Sequence, residues 1–164
     1  MKGTSVATVT KNKALRLPYL CLSKELNMSK LVLVEDDDDD IYFFKSACQN
    51  ASQPLELIVL RDGVEFVEYV KHHSVHNTLF LLDLNMPKLS GFEALESINE
   101  HEKFKQMLII TYTTSSSDRD INKAYELGAK SYLLKPNSVS DIQHLIKQVT
   151  QYWFELNNCP EEVS

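Results

Sequence analysis

The chain is poor in cysteine, with Cys21, Cys48 and Cys159 far apart and in no Cys-x-x-Cys pair. An odd, scattered set is not a disulfide framework, and it fits a reducing cytoplasm. No apolar stretch approaches the ~20 residues that span a bilayer, so no membrane association is expected. No Lys/Arg-rich patch is present, and an isoelectric point near 5.3 argues against nucleic acid as a partner. Internal repeats are absent. Low complexity is confined to one short acidic run.

What remains is 164 residues, 43% of them hydrophobic and 24% charged. That is enough for one soluble globular domain with a sizeable core. The net charge is −6, and the run Glu35–Asp40 alone carries six acids. Setting it aside leaves 17 acids against 17 basic residues. The acidity is therefore local, and it follows directly on the apolar residues Leu31–Val34.

Residues 1–27 read differently from the rest. They are basic, show no period of 2 or 3.6, and hold a proline inside their short apolar patch "LPYLCL". A signal peptide needs a longer apolar core and a small-residue cleavage site. The segment is expected to be an N-terminal extension, either disordered or lying before a natural start at Met28. A domain over residues 28–158 is expected to follow, with residues 159–164 as a tail and no output domain expected.

From residue 30 short apolar runs alternate with amphipathic stretches. The runs are Leu31–Val34, Leu55–Leu60, Leu79–Leu82, Met107–Tyr112 and Ser131–Leu134. Nearly continuous apolar runs too short for helices predict strands buried on both faces of a parallel sheet. Between them, Ile41/Phe44/Ala47/Cys48, Val64/Phe66/Val67/Val70, Phe92/Leu95/Ile98 and Ile121/Ala124/Tyr125/Leu127 have helical spacing. Asp62-Gly63 should open the second helix and Gly128 close the fourth. A long fifth helix is expected from Val139 to Leu156, with Trp153 and Phe154 packing on the core. Five β-α units predict a flavodoxin-like, doubly wound (βα)5 fold with strand order 2-1-3-4-5.

In such sheets ligands gather at the carboxyl ends of the strands. Strand 1 ends in Glu35 and Asp36, strand 3 in Asp83, strand 4 near Thr113 and strand 5 in Lys135. Carboxylates brought together repel unless protonated or paired. A hard divalent cation resolves the repulsion, and Mg²⁺ takes one or two carboxylates with waters and phosphate oxygens. A carboxylate at the end of the central strand can attack a phosphoryl group and carry it as an acyl phosphate. Metal, Lys135 and the Thr113 hydroxyl would then share the phosphoryl charge.

The pattern resembles the receiver domains of two-component response regulators, the CheY-like family, over about residues 30–157. The Glu35-Asp36 pair, Asp83 in "LDLNMPKLSG", Thr113, and Lys135-Pro136 in "YLLKP" carry the resemblance. Thr113 precedes Lys135 by 22 residues and Gly128 precedes it by seven. The sequences "VEDDDDDIYFF" and "YTTSSSDRDI" are similar to stand-alone receivers.

The resemblance implies that Asp83 is the phosphoacceptor. Asp36, Glu35 and Asp83 would hold Mg²⁺, together with the backbone carbonyl of Asn85. Lys135 would pair with Asp83 and then with the phosphoryl group. Thr113 and Tyr132 would form the switch, and Pro87 and Gly91 would shape the loop after Asp83. The Lys135–Pro136 bond is expected to be cis. The donor would be a histidine kinase or a histidine phosphotransfer protein. A downstream protein would read the face of helix 4, strand 5 and helix 5. The chain would be a cytoplasmic monomer or weak homodimer. Gln106 stands where relatives often have proline, and Thr114 is larger than the alanine or glycine that some carry.

Other readings fit less well. A phosphatase of haloacid dehalogenase type needs a second aspartate where Asn85 stands. An EF-hand loop beginning at Asp36 needs Gly at Ile41 and Glu at Ala47. A receiver fold that only binds proteins, without phosphate, would have lost an acid, the acceptor or the lysine, and all are present. His72, His73 and His76 lack partners at ligand spacing and read as exposed histidines. Asp38, Asp39 and Asp40 are expected to favour the start of helix 1, with Asp37 in the turn before it.

Overall fold

The computed structural model describes residues 29–49 and 55–157. The proposed N-terminal extension and the tail lie outside these residues. β1 (Ser29–Val34), β2 (Leu55–Leu60), β3 (Thr78–Leu82), β4 (Leu108–Thr113) and β5 (Ser131–Leu134) alternate with five helices. The helices are α1 (Asp38–Gln49), α2 (Gly63–His72), α3 (Gly91–Ile98), α4 (Asp118–Glu126) and α5 (Val139–Thr150). All strand pairs are parallel, and the order is β2-β1-β3-β4-β5.

Alternation along the central strands divides the core into two layers. Val32 and Val34 of β1, with Phe80 and Leu82 of β3, face Phe66, Val70, Ala94, Leu95 and Ile98 of α2 and α3. Leu31, Leu33, Leu79 and Leu81 face the other way, toward Ile41, Phe44, Ile142 and Ile146 of α1 and α5. Both layers are apolar because the sheet is covered on both sides. Truncating one of its aromatics, as in Phe80→Ala, should cost about 3–5 kcal/mol.

The helix ends follow local chemistry. Asp62 caps α2 by accepting from the Glu65 N–H at 2.9 Å. Ser90 and Glu93 form a reciprocal capping box on α3. α4 closes with the Gly128 N–H on the Tyr125 carbonyl and the Ala129 N–H on the Ala124 carbonyl. That is a Schellman ending, and Gly128 takes the left-handed φ of 93° that it needs.

Two elements differ from the sequence-based expectation. A 3₁₀ turn, Glu102–Gln106, precedes β4. The fifth helix is not uniform: after Thr150 it widens into a π-helical turn, Gln151–Leu156. Trp153 and Phe154 pack against the core there, while Tyr152 and Leu156 remain exposed. No helix among the described residues is long and apolar enough to cross a membrane.

Candidate functional site

The hydrogen-bond ladder runs on past the strand ends and sets the site. The Glu35 N–H donates to the Leu60 carbonyl at 2.9 Å, and the Asp83 N–H to the Val34 carbonyl at 3.0 Å. The Lys135 N–H donates to the Thr113 carbonyl at 2.9 Å. These bonds extend the β1–β2, β1–β3 and β4–β5 pairings by one residue each, and the side chains at these strand ends converge at the carboxyl edge.

Carboxylate oxygens of Glu35, Asp36 and Asp83 all lie within 4.8 Å of one another. Glu35 and Asp83 are buried and Asp36 is half-buried. Asp83 Oδ1 accepts from the Leu84 N–H at 2.7 Å, and Oδ2 faces the Lys135 ammonium at 3.3 Å. The same ammonium lies 2.6 Å from Glu35 Oε2 and 2.8 Å from Asp40 Oδ2. Thr113 is fully buried at the end of β4, and its hydroxyl accepts a long contact from the Ser115 N–H at 3.4 Å. The Tyr132 hydroxyl donates to the Ser115 carbonyl at 2.9 Å. Strand β5 and the β4–α4 loop are thus tied together beside Thr113.

Burial pushes the Glu35 carboxyl up to about 7, with the Asp83 charge adding to it, although Lys135 pulls the other way. Burial likewise disfavours the Lys135 charge, but Asp40, Glu35 and Asp83 outweigh it and hold the ammonium above its ordinary value. Glu35 Oε2 has no hydrogen-bond donor directed onto it. Its 2.6 Å neighbour Lys135 forms a close but poorly directed ion pair. A buried carboxylate oxygen without a proper donor, beside two more carboxylates, is a donor set suited to a hard divalent cation. Among the described residues no other group of His, Cys, Asp and Glu is spaced for a metal. His72 instead lies 3.3 Å from Glu68 on the exposed side of α2.

The loop after Asp83 is held from two sides. Gly91 donates its N–H to the Leu84 carbonyl at 3.1 Å. Lys88, with φ of 65°, sends its ammonium to Asp62 Oδ2 at 2.5 Å. Asn85 is exposed in this loop, two residues beyond Asp83.

One expectation is corrected here. The Lys135–Pro136 bond is trans, as are all described peptide bonds. The trans preference of an X–Pro bond is only about 0.5–1 kcal/mol, so sequence alone does not fix the isomer. The acidic run divides as expected, with Asp38, Asp39 and Asp40 in the first turn of α1 and Asp37 before it. Asp37 is in addition the cap: its Oδ1 accepts from the Asp39 and Asp40 N–H groups at 2.8 and 3.0 Å. Asp38 pairs with Arg61 at the end of β2. Asp40, expected only to favour the helix start, reaches Lys135. The signal for it was positional, because helical side chains lean toward the N-terminus and over the strand ends. The Asp62–Lys88 pair had no sequence signal beyond the turn at Asp62-Gly63.

Residues 31–147 match the family described as response regulator receiver domain. The response regulator Rcp1 of Synechocystis is 30% identical over 145 residues, covering 85% of this chain and 99% of that protein. Rcp1 with bound Mn²⁺ superposes with a TM-score of 0.68 at 29% identity, over 81% of this chain and 99% of that one. The phosphorylated cyanobacterial phytochrome response regulator RcpA superposes with a TM-score of 0.72 at 29% identity, covering 82% of this chain and all of that one. By its sequence match and its strand order, this chain belongs to the response regulator receiver domain family.

Proposed function

We propose that Asp83 accepts a phosphoryl group from a phosphohistidine on a histidine kinase or a histidine phosphotransfer protein. The observation that carries this is the meeting, at one strand edge, of Asp83 with Lys135 at 3.3 Å and with Glu35 and Asp36 within 4.8 Å. An Asp83 carboxylate oxygen attacks phosphorus, the P–N bond breaks, and the histidine ring leaves with the bond's electron pair and takes up a proton. Glu35, Asp36, Asp83 and the Asn85 carbonyl would hold Mg²⁺, which when bound supplies positive charge to the phosphoryl oxygens. Lys135 supplies the second positive charge, and a charge-assisted bond to a phosphoryl oxygen is stronger than a neutral one.

The Thr113 hydroxyl then turns to the phosphoryl group, and Tyr132 follows as the β4–α4 loop rearranges. A protein target would read the change on α4, β5 and α5. The chain acts as a switch with slow self-dephosphorylation and not as a turnover enzyme, since Asn85 cannot serve as a general acid. The Mn²⁺-bound relative and the phosphorylated relative both support this reading. A cytoplasmic location suits the donor and the metal.

Labelling by a phosphohistidine donor or by acetyl phosphate, with Mg²⁺, tests it. Asp83→Asn should abolish the label, and undiminished labelling would overturn the assignment.

A further inference from the structure

The Lys135 ammonium meets three carboxylates, and the acceptor is the most distant of them. Glu35 is at 2.6 Å, Asp40 at 2.8 Å and Asp83 at 3.3 Å. Asp40 stands on α1, an element apart from both of the others. We propose that Asp40 is a positioning residue, which competes with Asp83 for the Lys135 ammonium and holds it drawn back until a phosphoryl group arrives. The inference rests on the reading of Asp83 as acceptor.

Lys135 has little freedom except in this choice of partner. Its side chain is only 9% exposed, and its backbone N–H is fixed on the Thr113 carbonyl. The Tyr112 ring stands 5.9 Å from the ammonium. The head group therefore moves over a short arc between the start of α1 and the end of β3. Glu35 cannot follow it, being buried at a strand end with Oε1 taking the Asp37 N–H.

Asp40 is different. Its side chain is 41% exposed, so water can take over its solvation when Lys135 leaves. A phosphoryl group on Asp83 carries more charge than one half-exposed carboxylate and draws the ammonium across. The exchange frees Asp40 and thereby couples the first turn of α1 to the state of the acceptor. Asp39 is the natural control: it is the adjacent acid on the same turn, exposed and with no ion pair to Lys135.

The test uses the full chain and trifluoroberyllate with Mg²⁺ as a phosphoryl mimic, with binding followed by fluorine NMR. Asp40→Asn should bind the mimic about fivefold more tightly than Asp39→Asn, the size of one hydrogen bond regained by the site. In a crystal structure of metal-free Asp40→Asn, Lys135 Nζ should approach Asp83 Oδ2 more closely than 3.3 Å. Asp40→Ser, measured in the same way, guards against a fault peculiar to the amide. Equal affinities for the Asp39 and Asp40 variants would reduce the effect to bulk charge and overturn the inference, as would weaker binding by the Asp40 variants. Either result leaves Asp83 as acceptor. Failure of the unaltered chain to take the mimic at all overturns both readings.

Discussion

A Cβ placed on Gly91 would stand 2.2 Å from the Asp83 carbonyl oxygen and 2.9 Å from the Leu84 Cα. Both neighbours are backbone, so any side chain at position 91 must push the loop away from Asp83. Gly91→Ala should slow labelling of Asp83 on the order of a hundredfold, the scale of a 1 Å misplacement at a reacting centre. Gly128→Ala is the contrast. There the strain comes from φ of 93° and a Phe104 ring atom at 2.7 Å. It should cost about 1–2 kcal/mol or more in urea unfolding while leaving the labelling rate of the folded protein unchanged.

Asp62 combines two roles that separate variants can split. Its carboxyl is held below its ordinary 3.8, first by the Lys88 ammonium and then by the Glu65 N–H. The sign follows from linkage: a lowered carboxyl stabilises the fold above pH 3.8, and that contribution fades as pH falls through the lower native value. Asp62→Ala loses both cap and charge and should cost about 0.5–2 kcal/mol at pH 7. Asp62→Asn keeps a cap acceptor and should cost less. Its unfolding free energy should also fall less steeply than that of the unaltered chain below about pH 4. Urea titrations at pH 3 and pH 7 measure the difference.

The three carboxylates should link stability to divalent cations. At Mg²⁺ a hundredfold above its dissociation constant, the folded state should gain about 2.7 kcal/mol, with a matching rise in Tm. Glu35→Gln and Asp36→Asn should each lose that rise, whereas Asp39→Asn should keep it. Thermal scans with and without a chelator decide this. An undiminished rise in the first two variants would move the metal elsewhere.

Tyr132→Phe removes the 2.9 Å hydrogen bond to the Ser115 carbonyl and leaves the ring in place. It should cost about 0.5–1.5 kcal/mol and increase amide exchange in the β4–α4 loop. Labelling of Asp83 should persist. Thr113→Ala should also be labelled, but labelling should no longer alter exchange in that loop. If exchange responds to phosphorylation as in the unaltered chain, Thr113 is not the link.

Much of the fold was legible because burial on both faces leaves a strong local trace. Leu31–Val34 and Leu79–Leu82 are apolar throughout, since alternate residues serve two different core layers. The strand-end positions of Glu35, Asp36, Asp83, Thr113 and Lys135 followed from the same runs. The π-helical turn at Gln151–Leu156 left no such trace, because Tyr152, Trp153 and Leu156 suit a regular helix equally well.

Chain order and apolar period alone marked five strands and the strand ends where the charged residues collect. They act through neighbours in sequence, and their cost is paid residue by residue. Only the tertiary structure decided which acid meets which base. Asp37–Asp40 are four identical side chains in sequence, yet Asp37 caps a helix, Asp38 meets Arg61 and Asp40 meets Lys135, 95 residues away. The Asp62–Lys88 pair belongs to the same class. Each depends on the packing of separate elements to within about an ångström, and Coulomb and hydrogen-bond energies change steeply over that distance.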